Sequence, residues 1–261
     1  MAAEPKARFV QDGALGTVTL DNPPLNLIGQ ELIDDLVMAI GEVEAADGLR
    51  ALVLRGEGKV FSAGADVKLF AGMDADQMRP LIDSFLDIGH RMERLPFPTL
   101  AAAHGTCMAG GFELALFCDL IWAAEGTMLG LPESRLGIVP LAGGVERVAA
   151  RAGLGRARAV ALGGDLYPAE DFAAWGAIDR VVAADDLHPA TEEFARRLAD
   201  GPTRAFSVVK ELARAYTADG ITGADALLLE AAVGLFDTED ARGGIETFLE
   251  SGSGKFAFAG R

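Results

Sequence analysis

Apolar and polar positions alternate at the start of the chain and settle into helical spacing soon after. Ala7 to Gln11, the turn pair Asp12-Gly13 and the alternating run Gly16 to Leu20 predict a β-hairpin. Asp21-Asn22-Pro23-Pro24 ends it, because proline cannot donate to a ladder. Leu32, Leu36, Ile40 and Val43 then recur at helical intervals and predict an amphipathic helix of about four turns, ending near Asp47-Gly48. Ala51 to Leu54 is continuously apolar and reads as a buried strand that turns at Arg55-Gly56-Glu57-Gly58. Thr99 to Ala103, preceded by Pro96 and Pro98, reads the same way, and Leu120 to Ala123 and Met128 to Leu131 read as short strands.

Between these runs lie two stretches of small residues, Phe61 to Asp66 and His104 to Gly111, the second followed by Phe112 to Leu116, which can start a helix. Phe70 to Phe85 carries Asp74, Asp76 and Gln77 and reads as a pocket-lining segment that is mobile until a ligand binds. From Val145 onward the pattern is almost wholly helical, punctuated at Leu154-Gly155, Gly163-Gly164 and Gly201-Pro202. The organisation is one of strand-and-loop units with intervening helices, an α/β class, followed by a helical C-terminal third. Ser251 to Gly254 is Gly/Ser-rich and reads as mobile.

Composition narrows the function. In 261 residues half are hydrophobic, enough for a sizeable core, with few aromatics and many Ala and Gly. The formal net charge of −16 argues against nucleic acid, whose phosphates are bound by Lys and Arg, and against a polybasic membrane anchor. No apolar run reaches the roughly 20 residues that span a bilayer, and Met1 to Arg8 has no apolar signal region, so the expectation is a cytoplasmic protein. Cys107 and Cys118 sit in apolar surroundings and read as reduced core residues. His90, His104 and His188 are scattered, no metal cluster is visible, and no Ser lies in a G-x-S-x-G frame.

The chemistry is concentrated in the two small-residue loops. Phe61-Ser62-Ala63-Gly64-Ala65-Asp66-Val67-Lys68 and His104 to Leu114 each follow a strand and precede a possible helix start. Small residues let backbone N–H groups approach a ligand, and a helix start leaves N–H groups unpaired. One N–H from each loop could grip a single carbonyl oxygen as an oxyanion hole. Taken alone, either loop could equally be a tight turn. Glu113 stands in an otherwise apolar window, which fits either a solvated helix position or a buried functional acid. Glu133, after Pro132, fits either a first-turn helix acid or a partner for Glu113 in holding a water and delivering a proton.

Taken in order, the motifs resemble the enoyl-CoA hydratase/isomerase (crotonase) family. The likeness is carried by Gly58 to Lys68, by Gly110-Gly111-Phe112-Glu113-Leu114-Ala115 with Cys118-Asp119, and by Pro132-Glu133 with Leu136-Gly137-Ile138-Val139-Pro140 and Gly143-Gly144. The tail fits as well, from Phe236-Asp237-Thr238-Glu239-Asp240 to Gly244 with Phe248-Leu249-Glu250. As an ordered set spanning nearly the whole chain it is highly specific.

The resemblance implies a spiral of ββα units over residues 1–200 and a C-terminal helical region over 201–261 that builds homotrimers, often paired into hexamers. It implies an oxyanion hole from the N–H groups of Ala65 and Gly110 and an acyl-CoA thioester substrate. Ala63, Gly64, Asp66, Val67, Lys68, Gly111 and Leu141 are implied to contact that substrate, with Lys68 toward the phosphates. No separate cofactor is implied, since coenzyme A enters as part of the substrate. Members that hydrate trans-2-enoyl-CoA use two glutamates at the positions of Glu113, which would deprotonate the water, and Glu133, which would protonate Cα. Sister reactions, namely double-bond isomerisation or C–C hydrolysis, and a non-catalytic acyl-CoA-binding scaffold are the alternatives. Three positions depart from the usual pattern: Leu141 stands where hydratases usually carry Gly, Phe112 where the residue is often smaller, and Leu69 where an acid is common.

Overall fold

The computed structural model describes residues 4–252, 254 and 256–261. Strands β1 (Ala7–Asp12) and β2 (Leu15–Leu20) form the expected hairpin, and α1 (Gln30–Ala45) buries Leu32, Leu36, Ile40 and Val43 on one face, as their spacing requires. β3 (Ala51–Gly56) leads through a 3₁₀ turn, Val67–Phe70, into α2 (Ala75–Arg94). β4 (Thr99–Ala103), β5 (Thr106–Met108) and α3 (Gly110–Leu116) follow, then β6 (Leu120–Ala124), β7 (Met128–Gly130), a 3₁₀ turn over Pro132–Leu136, and α4 (Gly144–Ala152). The chain continues through α5 (Leu154–Gly163), β8 (Tyr167–Pro168), α6 (Ala169–Ala174), β9 (Arg180–Val182), α7 (Leu187–Ala199), α8 (Thr203–Leu235) and α9 (Glu239–Ser251).

The strands form a six-stranded sheet in the order β1-β2-β3-β4-β6-β9, parallel from β2 onward, and a small sheet in the order β5-β7-β8. Each turn of the chain therefore lays one strand in the large sheet and one stretch beside the small sheet, and then a helical element. The first turn reaches the small sheet through one isolated bridge among the described residues, Ser62 to Cys107. The large sheet is buried on both faces. Leu52, Leu54, Ala101, Ala103 and Ile121 face α1, α2 and α3, while Val53, Leu100, Ala102 and Trp122 face α7. That two-sided burial is why the strands read as continuous apolar runs.

Four features correct or add to the expectations. Phe70 to Phe85 contains the start of α2, a 20-residue helix. Its polar residues belong to a capping box, in which the Asp74 carboxylate accepts from the Gln77 N–H and the Gln77 amide oxygen accepts from the Asp74 N–H, both at 3.0 Å. The apolar series Leu81, Phe85, Ile88 and Met92 then turns inward. Second, the region after Val145 is almost wholly helical, as expected, but two short strands interrupt it. Arg180–Val182 closes the large sheet against β6, but three residues are too few for periodicity to reveal. Third, His104 and His188 are not scattered: their rings pack edge-on with centroids 5.5 Å apart. The end of β4 and the start of α7 meet there, and burial pushes both imidazoles down from their ordinary range. Fourth, Asp119, part of the motif set, is a structural anchor. Its carboxylate accepts from the Thr99 N–H and from Lys210 Nζ, both at 2.8 Å, and so ties α8 to the start of β4.

Cys107 and Cys118 are free and buried, as expected. Among the described residues no helix is long and apolar enough to cross a membrane. The stretch Ser251 to Gly254 includes Ser253, which lies outside the described residues.

Candidate active site

Two loops meet at the C-terminal ends of β3 and β4. Ile28 bonds to both neighbours of Ala65: its N–H donates to Gly64 O and its carbonyl accepts from the Asp66 N–H, each at 2.9 Å. In such a parallel bridge the Ala65 N–H turns to the opposite side. Among the described residues that N–H has no partner, and neither does the Gly110 N–H at the first position of α3. Gly64 brings the loops together. It has φ +87°, and a Cβ there would stand 2.6 Å from the Ala109 Cβ and 3.5 Å from Gly110 N. Only a residue without a side chain fits that approach.

Ala109 is held in an unusual conformation, φ 52° and ψ −133°, rarely adopted by residues with a Cβ and worth about 1–3 kcal/mol of strain. Its N–H donates to Gly130 O at 2.9 Å, which pins the strained turn to β7 and fixes the direction of the Gly110 N–H.

Both sequence-predicted carboxylates open onto one cavity. Glu113 is 1% exposed, so the solvated alternative is excluded. Its Oε1 accepts from the N–H groups of Ala142 at 2.8 Å and Gly144 at 2.9 Å. Burial pushes its pKa up, and the two N–H donors and the nearby Arg147 guanidinium oppose that shift. Arg147 in turn donates to the carbonyls of Ala142 and Gly143 and pairs with Glu93 of α2 at 2.7 Å, so it holds the collar that holds Glu113. Gly144 permits the close approach, since a Cβ there would lie 3.0 Å from Glu113 Cγ.

Glu133 sits in the Pro132–Leu136 turn and is 7% exposed. Its Oε2 is buried without a hydrogen-bond partner among the described residues. Burial, with a smaller contribution from the charge on Glu113, pushes its pKa up to about 7. The two acids thus differ in surroundings: at Glu113 two collar N–H groups and a guanidinium oppose the effect of burial, while Glu133 is poised to hold a proton near neutrality.

The cavity measures about 290 Å³ and is almost wholly apolar. Of the sequence-predicted residues it is lined by Ala63, Ala65, Val67, Gly110, Glu113, Glu133 and Leu141. Gly64, Asp66, Lys68 and Gly111 do not line it. Asp66 caps the 3₁₀ turn by accepting from the Lys68 N–H at 3.1 Å, Gly111 backs onto Ser62, and Lys68 is exposed at the surface beside the loop. Phe112 points into the core against Phe172, and Leu69 packs partly buried on it.

The sequence reading missed the collar at Ala142 and Gly144, though Gly143-Gly144 marked the place. It also missed Ile33 of α1 and the wall formed by Met78, Leu81 and Phe85 of α2 as a helix face. Among the described residues no group of three His, Cys, Asp or Glu could hold a metal ion.

Known proteins carry the same arrangement of chain. The Enoyl-CoA hydratase/isomerase family profile matches residues 11–260. YngF of Bacillus subtilis (strain 168), which bears the name of an enoyl-CoA hydratase/isomerase, is 33% identical over 244 residues, 92% of this chain and 94% of that one. The crystal structure of enoyl-CoA hydratase from Bacillus anthracis superposes with a TM-score of 0.91 at 28% identity, covering 98% of this chain and 100% of that one. That of Mycobacterium smegmatis enoyl-CoA hydratase gives 0.89 at 26% identity, covering 95% and 97%. The spiral expected from the motifs is the fold observed, and the chain belongs to the enoyl-CoA hydratase/isomerase family.

Proposed function

We propose that the protein hydrates trans-2-enoyl-CoA thioesters to 3-hydroxyacyl-CoA. The observation that carries this reading is the convergence on one apolar cavity of two differentiated carboxylates and of two loops, each with an unpaired N–H. The thioester carbonyl would accept from the N–H groups of Ala65 and Gly110. Addition of water at Cβ drives electrons onto that oxygen, and two preorganised donors stabilise the enolate. Each such donor typically contributes about 3–4 kcal/mol to the transition state. Glu113, its carboxylate oriented by its collar, takes a proton from the attacking water. Glu133 gives its proton to Cα. Atoms balance: hydroxyl to Cβ, hydrogen to Cα.

Lys68, exposed beside the loop, is positioned for a phosphate of the coenzyme rather than for the acyl chain. Isomerisation of a 3-enoyl thioester is the second reading, favoured by Leu141 in the cavity wall. Glu133 alone could carry it out.

At Gly220, where φ is 67°, α8 kinks out of helical geometry and then resumes. The half that follows, together with α9, exposes Ile221, Leu229, Val233, Phe248 and Leu249. An apolar surface of that kind fits burial in a homotrimer or hexamer, which light scattering tests: a stable monomer would count against it.

Enzyme activity is tested by loss of the conjugated-thioester absorbance on mixing the protein with a short trans-2-enoyl-CoA. A rapid fall yielding 3-hydroxyacyl-CoA, abolished in Glu133→Gln, is the expected result. No fall in the wild-type protein would refute hydration.

A further inference from the structure

Leu141 occupies a decisive position. Its side chain lines the cavity that Glu113 and Glu133 share, while the very next residue, Ala142, donates its N–H to Glu113 Oε1 at 2.8 Å. Ala142, Gly143 and Gly144 are buried, and the carbonyls of Ala142 and Gly143 are gripped by Arg147. The segment that fixes Glu113 therefore also delivers an isobutyl group to the same space, and it has little freedom to withdraw it. The rest of that wall is Pro132, Leu136 and Ile138 with Arg135, whose guanidinium is paired with Asp165. Glu133 Oε2 is buried there without a hydrogen-bond partner among the described residues.

Hydration and isomerisation place different demands on this space. Hydration needs a water held against Glu113 within reach of Cβ. A water occupies about 30 Å³ and needs polar partners to stay, and a leucine side chain supplies bulk in place of both. Isomerisation needs no water. The Glu133 carboxylate removes a proton from Cα of a 3-enoyl thioester. The electron pair moves into a dienolate whose charge rests on the thioester oxygen, and the same glutamate returns the proton at Cγ. One C–H bond breaks, one forms, and the double bond moves from C3–C4 to C2–C3.

We propose that Leu141 is a specificity-determining residue that restricts water beside Glu113 and shifts the partition of bound enoyl thioesters from hydration toward proton transfer by Glu133. The proposal rests on the acyl-CoA reading above and adds the identity of the group that sets the reaction ratio.

The test compares two rates in one protein. Wild-type protein, Leu141→Ala, Leu141→Gly and Leu81→Ala are each given trans-2-hexenoyl-CoA, to read hydration, and trans-3-hexenoyl-CoA, to read isomerisation. The ratio of the two rates does not depend on the fraction of molecules folded, so partial unfolding of a variant cannot mimic the effect. Expected is a rise of at least tenfold in the hydration-to-isomerisation ratio for both Leu141 variants, with isomerisation retained. Leu81→Ala changes the far wall on α2 and should move both rates together. An unchanged ratio in the Leu141 variants would overturn the proposal and leave Leu141 as a shaper of the acyl pocket. Wild-type protein that converts neither thioester would overturn the acyl-CoA reading itself, and this inference with it.

Discussion

Glu113 and Glu133 reach one cavity from two unlike backbones. Glu113 rises from the first turn of α3, behind a strained Ala109, and its carboxylate is collared by two N–H groups that Arg147 braces from α2 and α4. Glu133 comes from a short 3₁₀ turn whose neighbours Ser134 to Val139 are exposed, and one of its oxygens has no donor. The same residue type is thereby given two characters. Burial raises both pKa values; the Ala142 and Gly144 N–H groups and Arg147 oppose the rise at Glu113, while Glu133 has only its own backbone N–H against it and also feels the charge on Glu113. Unequal hydrogen bonding and unlike charged neighbours set the two carboxyls apart.

The comparison breaks most visibly on amide substitution. Glu113→Gln and Glu133→Gln should each lower hydration by about 10²–10⁴-fold, the usual contribution of a positioned acid or base. Isomerisation should survive Glu113→Gln far better than Glu133→Gln. Equal loss of both reactions in both variants would mean that the two acids are not differentiated.

A smaller effect comes from disturbing the collar without touching either carboxylate. A Cβ at Gly144 meets Leu131 Cδ2 at 2.9 Å and Glu113 Cγ at 3.0 Å. Gly144→Ala should cost about 1–3 kcal/mol of stability by overpacking. It should reduce hydration more than isomerisation, because Glu113 moves and Glu133 does not. Thermal melting and the two rate assays check it.

The smallest expected effect is on stability as a function of pH. Glu133 keeps its proton in the folded protein up to about 7, above the ordinary 4.5. Between those values folding takes up a proton, so stability falls as pH rises through the window and stays lower above it. Glu133→Gln removes that loss. Its Tm should exceed the wild-type value by more at pH 8 than at pH 4, each 1 kcal/mol appearing as about 2–4 °C in a chain of this size. The same difference at both pH values would mean that Glu133 is not desolvated.

How much of this was legible depended on whether the signal was local. α1 and the buried strands β3 and β4 follow from runs of apolar residues long enough to fix a period. α2 did not, because Pro80 and the polar capping box at Asp74 and Gln77 masked the spacing that begins at Leu81. β8 and β9 are two and three residues long and exist only because neighbouring strands are there to pair with them. In the site, small residues marked the two loops and the odd acids Glu113 and Glu133 stood out on their own, while the ordered motifs singled out Ala65 and Gly110. That the two acids share a cavity is a tertiary fact, as is the role of the Ala142 and Gly144 N–H groups, since any residue but proline has an N–H to give.

The most direct test of the division between the two glutamates is the pH dependence of kcat/KM for hydration of a short trans-2-enoyl-CoA. With Glu133 as the proton donor, the rate should hold below neutrality and fall as pH rises through about 7, the value to which burial has moved that carboxyl. A rate that stays level from pH 6 to about pH 9, or that rises across the range, would contradict Glu133 as the acid and with it the account of two carboxylates set apart by their surroundings.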